Sequence, residues 1–209
     1  MTRGAVTSPD RLLVLTDRRA CTRPLTEVVR AAIDGGARAV VLREKDLPAA
    51  ERARLADDLR AVLGDALLVL AGTGVPGPAV HLSAADAVPE PRPALLGRSC
   101  HDAAELAAAR DCDWVTVSPV WETATKPGYG PALGPAGLAA LLSDGLLSDG
   151  LLSAAPPAYA LGGIDGPDRA RECRRAGAHG VAVLGAVMRA EHPDRVVADL
   201  RRALEQDAA

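Results

Sequence analysis

One loop of the sequence carries three side chains that could bind an oxyanion together. The loop follows the short apolar run at residues 114–117 and is rich in glycine and proline. Thr123, Thr125 and Lys126 offer two hydroxyls and an ammonium group within this stretch. The glycines that follow them permit backbone conformations that bring N–H groups close to a ligand. The alternative interpretation is an ordinary surface loop rich in proline and glycine.

Two further cations follow directly after an apolar run. Arg43 and Lys45 would join Lys126 in one region of a chain whose formal net charge is −3. Such a local concentration of positive charge suits an anionic small molecule, with a phosphate or diphosphate favoured. The competing interpretation is that Arg43 and Lys45 pair on the surface with Glu44 or Asp46.

A glycine pattern marks the last two strands of the predicted sheet. Gly162 and Gly163 follow the apolar run at residues 158–161, and Gly185 follows the run at 180–184. In an α/β barrel a phosphate commonly lies after strands seven and eight, on backbone N–H groups at a helix N-terminus. We therefore predict that these three glycines hold a phosphate.

Four more polar residues are candidates with competing structural roles. Asp86 could ligate Mg²⁺, although a Mg²⁺ bound to diphosphate usually has more than one carboxylate nearby. It could equally cap a helix or lie in a solvated loop. His101 could transfer protons near neutral pH, or be a structural histidine at a helix start. Ser99 belongs to the polar residues that follow strands, whereas His81 lies within a strand and is interpreted as a core or second-layer residue.

These residues need a scaffold that gathers the ends of many strands. Eight short runs are apolar on both faces and mostly separated by helical segments, which is typical of a parallel sheet covered by helices. We predict a single-domain (β/α)8 TIM barrel over residues 1–209, with a doubly wound open sheet as the alternative. The barrel is favoured because polar residues recur just after most strands. The predicted strands are residues 12–15, 39–42, 67–71, 80–82, 94–97, 114–117, 158–161 and 180–184.

Three segments depart from a regular barrel pattern. Residues 72–78 are too few and too rich in glycine and proline for a helix, so the connection between strands three and four is shortened. Residues 1–10 are expected to be flexible. Residues 141–153 contain a repeat of Leu-Leu-Ser-Asp-Gly, interpreted as a small duplication in a peripheral loop. The preceding helix is expected from Gly137 to about Leu147, where an internal glycine costs about 1 kcal/mol.

Composition restricts the class of protein. Hydrophobic residues make up 48% of the chain but aromatics only 2%, so the core must be built from Ala, Val and Leu. The absence of a basic block argues against nucleic acid as a partner. Four cysteines without CxxC spacing indicate free thiols in a reducing compartment. No apolar run approaches the roughly 18 residues of a membrane helix, so we expect a cytoplasmic protein without a membrane partner. The Ala- and Leu-rich outer helices would allow a homodimer, but no sequence stripe requires one.

Seven segments of the chain combine a strand with the polar residues that follow it. They are LLVLTD (12–17), VVLREKD (40–46), VHLSAAD (80–86), LLGRSCH (95–101), SPVWETATKPGYG (118–130), YALGGI (159–164) and GVAVLGAV (180–187). In their order and spacing, which cover nearly the whole sequence, they resemble the thiamin phosphate synthase/TenI superfamily. The resemblance implies a TIM barrel that handles a thiazole phosphate. In the synthase branch, the thiazole phosphate would be joined to a pyrimidine methyl diphosphate with loss of pyrophosphate and help from Mg²⁺.

The resemblance also implies roles for the diphosphate half of the site. Arg43 and Lys45 would hold the diphosphate, Asp86 would ligate Mg²⁺, and Ser99 would contact the diphosphate. A departing diphosphate needs its growing charge neutralised, which Lys, Arg and Mg²⁺ can do. Lys126 and Ser99 are therefore catalytic candidates for the synthase reaction.

The other half of the site would bind the thiazole. The resemblance implies that Thr123, Thr125 and Lys126 bind the diphosphate and the thiazole side, while the three glycines after strands seven and eight cradle the thiazole phosphate. His101 is the catalytic candidate if the reaction is a proton transfer instead.

The sequence departs from both branches of this superfamily. Val41 stands where the synthase pattern has a pyrimidine-contacting Gln. Ala71 and Gly72 stand where it has Asn-Asp, whose Asp ligates Mg²⁺. In the TenI branch, which tautomerises a thiazole carboxylate phosphate, the catalytic histidine would fall at Pro119, and proline cannot transfer a proton.

Four functions therefore remain open from sequence. The first is a synthase-type transferase, favoured because its phosphate-binding residues are best preserved. The second is a TenI-like tautomerase, which predicts activity independent of metal. The third is a non-catalytic paralogue that binds a phosphorylated ligand or a partner protein. A more distant fourth is an unrelated phosphate-binding barrel enzyme.

Overall fold

The chain forms a closed barrel of eight parallel strands. The computed structural model describes residues 8–123, 131–147 and 155–206. Each strand pairs with the next in chain order, and the eighth strand pairs with the first to close the ring. The (β/α)8 prediction is therefore confirmed, and the open doubly wound sheet is wrong. The strands are β1 Leu12–Leu15, β2 Ala39–Leu42, β3 Leu67–Ala71, β4 Ala79–Leu82, β5 Leu95–Cys100, β6 Trp114–Val117, β7 Ala158–Leu161 and β8 Gly180–Val183.

Helices cover the outside of the barrel except at two connections. The segments between β3 and β4 and between β4 and β5 contain no helix, so the shortened connection after β3 is present as predicted. A side-chain cap marks the start of the helix Ala103–Ala108, where Asp102 accepts a hydrogen bond from the Glu105 N–H at 2.8 Å. A 3₁₀ turn spans Arg18–Ala20, and the helices are α1 Leu25–Asp34, α2 Ala49–Leu63, α3 Ala103–Ala108, α4 Gly134–Leu147, α5 Pro167–Arg175, α6 Gly185–Met188 and α7 Pro193–Gln206.

Two expectations about element boundaries are wrong. Strand β5 continues to Cys100, so Ser99 lies within the strand and not after it. The first copy of the Leu-Leu-Ser-Asp-Gly repeat lies within α4, as the helix expected from Gly137 to about Leu147 predicts, and not in the peripheral loop expected for the whole repeat. Leu141 and Leu142 pack against the core, and this burial offsets the modest penalty of a glycine in a helix. Residues 148–154, which carry the repeat beyond Leu147, and residues 1–7 lie outside the described residues.

The inside of the barrel is filled by a small cluster of rings. Trp114 is fully buried, and His81 stacks on it with ring centroids 4.7 Å apart. Tyr159 meets Trp114 edge-on at 5.7 Å and donates its hydroxyl to the Pro9 carbonyl at 2.5 Å. Gly97 faces Trp114 so closely that an added Cβ would lie 2.6 Å from the indole Cδ2. Trp114 and Tyr159, two of the four aromatic residues, thus lie where a barrel of small aliphatic residues would leave space.

None of the described helices is both long and apolar enough to cross a membrane.

Replacing Gly97 with Ala should destabilise the protein, because the new methyl group overlaps the Trp114 ring. Overpacking of this kind typically costs about 1–3 kcal/mol. Urea unfolding of Gly97→Ala measures the effect. Gly166→Ala is the matched control, since an added Cβ there meets no atom within 4 Å. Equal unfolding free energies for the two variants would contradict the packing described here.

Candidate functional site

A cavity of about 670 Å³ lies where the carboxyl ends of the strands meet. Most of the residues predicted from sequence line it. Asp86 does not, although its neighbours Ser83 to Ala85 do. Thr125 and Lys126 fall outside the described residues. The predicted residues that line the cavity are Arg43, Lys45, Ser99, His101, Thr123, Gly162, Gly163 and Gly185.

The acidic residues beside the two cations after β2 are held by another arginine. Arg18 Nη1 lies 2.9 Å from Glu44 Oε2, and Arg18 Nη2 lies 2.8 Å from Asp46 Oδ2. The hydrogen bond from Arg18 lowers the pKa of Asp46 to about 2, so both partners are charged at neutral pH. The interpretation in which Arg43 and Lys45 pair with Glu44 or Asp46 is therefore wrong. Within the described part of the chain, neither cation has a carboxylate at ion-pair distance.

The backbone and neighbours of these cations fix where they stand. The Thr16 hydroxyl, fully buried, accepts the Arg43 N–H at 3.0 Å, which ties the end of β1 to the end of β2. Lys45 extends beside Gly72, where an added Cβ would lie 3.9 Å from the lysine Cε. Lys45 therefore lies next to the position at which the synthase pattern has a metal-binding aspartate.

Arg98, a residue that sequence reasoning missed, shapes the wall of the cavity after β4. Its Nη1 donates to the carbonyls of Ser83, Ala84 and Asp86 at 3.1, 2.9 and 2.9 Å. Asp86 Oδ2 closes the same turn by accepting the Ser83 N–H at 2.7 Å. Partial burial by itself raises the pKa of Asp86. The hydrogen bonds from Ser83 and the charges of Lys45 and Arg98 outweigh this, and the net pKa lies below its ordinary value.

A neutral histidine lies at the floor of the cavity. His81 Nε2 lies 3.2 Å from Thr116 Oγ1, which in turn is 3.5 Å from Ser99 Oγ. Burial lowers the pKa of His81 to about 3, and the positive charges of Lys45 and Arg43 add to this effect. His81 is a core residue as predicted, but it also lines the cavity. At neutral pH it can offer a hydrogen bond there but no charge.

His101 is fixed at the start of α3 by a carboxylate. Its Nδ1 lies 2.8 Å from Glu105 Oε2, and the same oxygen accepts the His101 backbone N–H at 2.7 Å. Both side chains line the cavity. His101 therefore has the structural role predicted for it at a helix start, and it also lies in the candidate site.

The two glycines after β7 are required by close packing of the loop after β6. Gly162 and Gly163 have φ of +105° and +67°, a region that other residues rarely adopt. An added Cβ on Gly163 would lie 2.6 Å from Trp121 Cβ and 2.7 Å from the Glu122 carbonyl oxygen. The Trp121 N–H also donates to the Gly162 carbonyl at 3.1 Å. These glycines thus bring the two loops together at one edge of the cavity.

The side chains described do not fit the Mg²⁺ site that the resemblance implies. Across residues 8–123, 131–147 and 155–206, no three His, Cys, Asp or Glu side chains cluster in a way that could hold a metal ion. Ala71 and Gly72 bring no side-chain oxygen, and one oxygen of Asp86 already accepts a backbone hydrogen bond. Basic side chains line this part of the cavity instead.

Comparison with known proteins points to one family. Residues 12–187 match the family described as thiamine monophosphate synthase (TMP-TENI). A thiamine-phosphate synthase from Thermobifida fusca is 34% identical, covering 95% of this chain and 94% of that protein. One from Pyrococcus furiosus is 30% identical over 94% and 95% of the two chains. The solved structure of a thiamine phosphate pyrophosphorylase from Pyrococcus furiosus superposes with a TM-score of 0.78 at 29% identity, covering 95% of this chain and 97% of that one.

The buried His81 should make stability depend on pH. Its pKa is about 3 in the folded protein, against 6.5 as its ordinary value. As pH falls below about 6.5 the unfolded chain binds the proton first, so the folded state loses stability down to about pH 3. Between these two pKa values, one such group lowers the free energy of unfolding by up to about 1.4 kcal/mol for each pH unit.

Urea unfolding as a function of pH measures this dependence. His81→Phe keeps a ring against Trp114 but cannot titrate, so its stability should fall less steeply between pH 6.5 and 3. His192→Gln, at an exposed position, serves as control and should retain the wild-type slope. Identical slopes for wild type and His81→Phe would refute the assignment.

Proposed function

The chain belongs to the thiamine monophosphate synthase family, and from that premise we propose that it is a transferase that joins a thiazole phosphate to a pyrimidine methyl diphosphate. The observation that carries the proposal is the pair Arg43 and Lys45. Both line the cavity, and the neighbouring carboxylates are engaged by Arg18. Two cationic side chains that line the same cavity, and that have no carboxylate partner among the described residues, suit a diphosphate.

The reaction is a substitution at the pyrimidine methylene carbon. The thiazole nitrogen supplies a lone pair that forms the new C–N bond. The C–O bond to the diphosphate breaks, and its electron pair leaves with pyrophosphate. Negative charge therefore grows on the leaving group as the bond breaks, and groups that neutralise this charge stabilise the transition state.

In this proposal Arg43 and Lys45 bind the diphosphate and meet its growing charge. Lys126, Thr123 and Thr125 act with them, as the family resemblance implies, and Ser99 donates its hydroxyl to the diphosphate. Because the described carboxylates do not fit a metal site, we assign no step of the reaction to Mg²⁺.

The thiazole phosphate is assigned to the edge of the cavity formed by the ends of β7 and β8. Gly162 and Gly163 follow β7, and Gly185 follows β8. No described residue accepts a hydrogen bond from the N–H of Gly163 or Gly185. These N–H groups are therefore available to phosphate oxygens.

A TenI-like tautomerase is the second candidate, favoured by one observation. His101 is oriented by Glu105 and faces the cavity, which is an arrangement suited to proton transfer. Pro119, at the position of the TenI catalytic histidine, argues against it. A non-catalytic paralogue would bind the same phosphates without turnover.

The test is a direct assay of thiamin phosphate and pyrophosphate formation by the purified full chain, with and without Mg²⁺. Arg43→Gln and Lys45→Gln should each lower kcat/KM about 100- to 1000-fold, because each removes a charge that stabilises the leaving group. Lys126→Ala should abolish pyrophosphate release. Arg30→Gln, an exposed arginine on α1, is the matched control and should behave as wild type.

The outcomes separate the candidates. Formation of thiamin phosphate and pyrophosphate by wild type, with the expected loss of kcat/KM in the Arg43 and Lys45 variants, supports the transferase. Metal-independent isomerisation of a thiazole carboxylate phosphate, lost in His101→Asn, would replace the transferase by the tautomerase. Binding of both phosphates without either product would leave the non-catalytic paralogue.

A further inference from the structure

An arginine that neither the sequence pattern nor the family resemblance singles out stands at the β8 edge of the cavity. Arg189 follows α6, and its backbone N–H donates to the Gly185 carbonyl at 3.2 Å. Its guanidinium folds back over the same glycine. An added Cβ on Gly185 would lie 2.6 Å from Arg189 Cζ and 2.7 Å from Nη1. Both residues line the cavity.

The other arginine on this side of the cavity is already engaged. Arg169 lies 3.0 Å from Asp165 Oδ2, donates to the Gly163 carbonyl and stacks over Trp121 at 5.0 Å from the ring centroid. Its charge is compensated and its donors are partly used. It therefore serves to hold the turn after β7 against the loop after β6.

Arg189 differs from Arg169 both in its charge compensation and in its side-chain hydrogen bonds. Within residues 8–123, 131–147 and 155–206, no carboxylate lies at ion-pair distance from Arg189, and its side chain makes no hydrogen bond. The side chain is exposed and borders the cavity. A guanidinium in this state presents its fork of N–H donors to an anion that enters from the solvent, and phosphate is the anion whose geometry it matches in a bidentate way.

Among the described residues, the cavity thus has two separate sets of available cations. Arg43 and Lys45 follow β2, whereas Arg189 follows β8, and β1 lies between these strands in the closed sheet. We propose that Arg189 binds the phosphate monoester of the second substrate. This inference rests on the proposed function, which assigns the thiazole phosphate to the β7 and β8 edge.

The arrangement gives Gly185 a second role beside the one predicted from sequence, in which its N–H group helps to hold a phosphate. In the structure any side chain at position 185 would overlap the Arg189 guanidinium. The glycine therefore admits Arg189 to the place where it can meet a ligand, and the arginine supplies the charge.

Arg189→Gln tests the proposal by isothermal titration of the purified full chain with the thiazole phosphate and with the matching unphosphorylated thiazole alcohol. The variant should bind the phosphate about 10- to 100-fold more weakly, which is the range for loss of a charged hydrogen bond. Its affinity for the alcohol should not change. Arg195→Gln, at an exposed position of α7, removes the same charge away from the cavity and should bind like wild type.

Gly185→Ala offers a second test that keeps the arginine. The new methyl group displaces the guanidinium, so this variant should lose a similar factor in phosphate affinity. Because both changes remove one interaction, the double variant should be no weaker than the weaker single variant. Additive losses would show that Gly185 and Arg189 act separately and would contradict the proposal.

Inorganic phosphate as a further probe separates this inference from the proposed function. Unchanged thiazole phosphate affinity in Arg189→Gln overturns the role of Arg189 and leaves the transferase standing. Wild type that binds inorganic phosphate through Arg189 but no thiazole phosphate supports the arginine site and overturns the proposed substrate. Wild type that binds neither phosphate overturns both.

Discussion

The pairing of Arg18 with Glu44 and Asp46 determines which charges the cavity can offer a ligand. Glu44 is almost completely buried, with 1% of its side chain exposed, and a buried carboxylate without a partner is strongly destabilising. Arg18 meets this need and holds Asp46 as well. If these two acids were free, they would compensate the cations beside them in sequence. Because they are not, the charges of Arg43 and Lys45 are not compensated by a carboxylate among the described residues.

A second constraint comes from the way the barrel is filled. Small aliphatic strand residues leave an interior that Trp114 and Tyr159 occupy, and Gly97 makes room for the indole. His81 stacks on this cluster from the cavity side. Its burial and the nearby cations keep it neutral, so the floor of the cavity is polar but uncharged. Among the described residues that line the cavity, the charged Arg43 and Lys45 are more exposed than this buried histidine.

The side chains around the cavity opening differ from those that the family resemblance implies. Ala71 and Gly72 remove the side-chain oxygens expected after β3, and Lys45 extends beside Gly72. Asp86 is committed to the turn that Arg98 also holds. Among the described residues, charge neutralisation therefore depends on lysine and arginine. An ammonium or guanidinium group can oppose a diphosphate directly, without the several oxygen ligands that Mg²⁺ requires.

The amino-acid sequence alone favoured the barrel over an open sheet and predicted much of the cavity lining. Runs that are apolar on both faces are typical of buried parallel strands between helices, and polar residues directly after such strands gather at one end of the sheet. This reasoning placed Arg43, Lys45, Thr123 and the glycines after β7 correctly on the cavity. The same local patterns could not show that β5 continues through Ser99, because a strand end is decided by pairing with its neighbours.

Only the tertiary structure decided which charged residues are paired and which are available. Arg18 lies 26 residues from Glu44, and Arg98 reaches the loop after the preceding strand, so neither partnership has a signature in local sequence. Arg189 looks like an ordinary arginine at a helix end until Gly185 is seen to make room for it. The physical reason is common to all three: an arginine side chain is long, and its partner depends on which backbone segments the closed barrel brings within its reach.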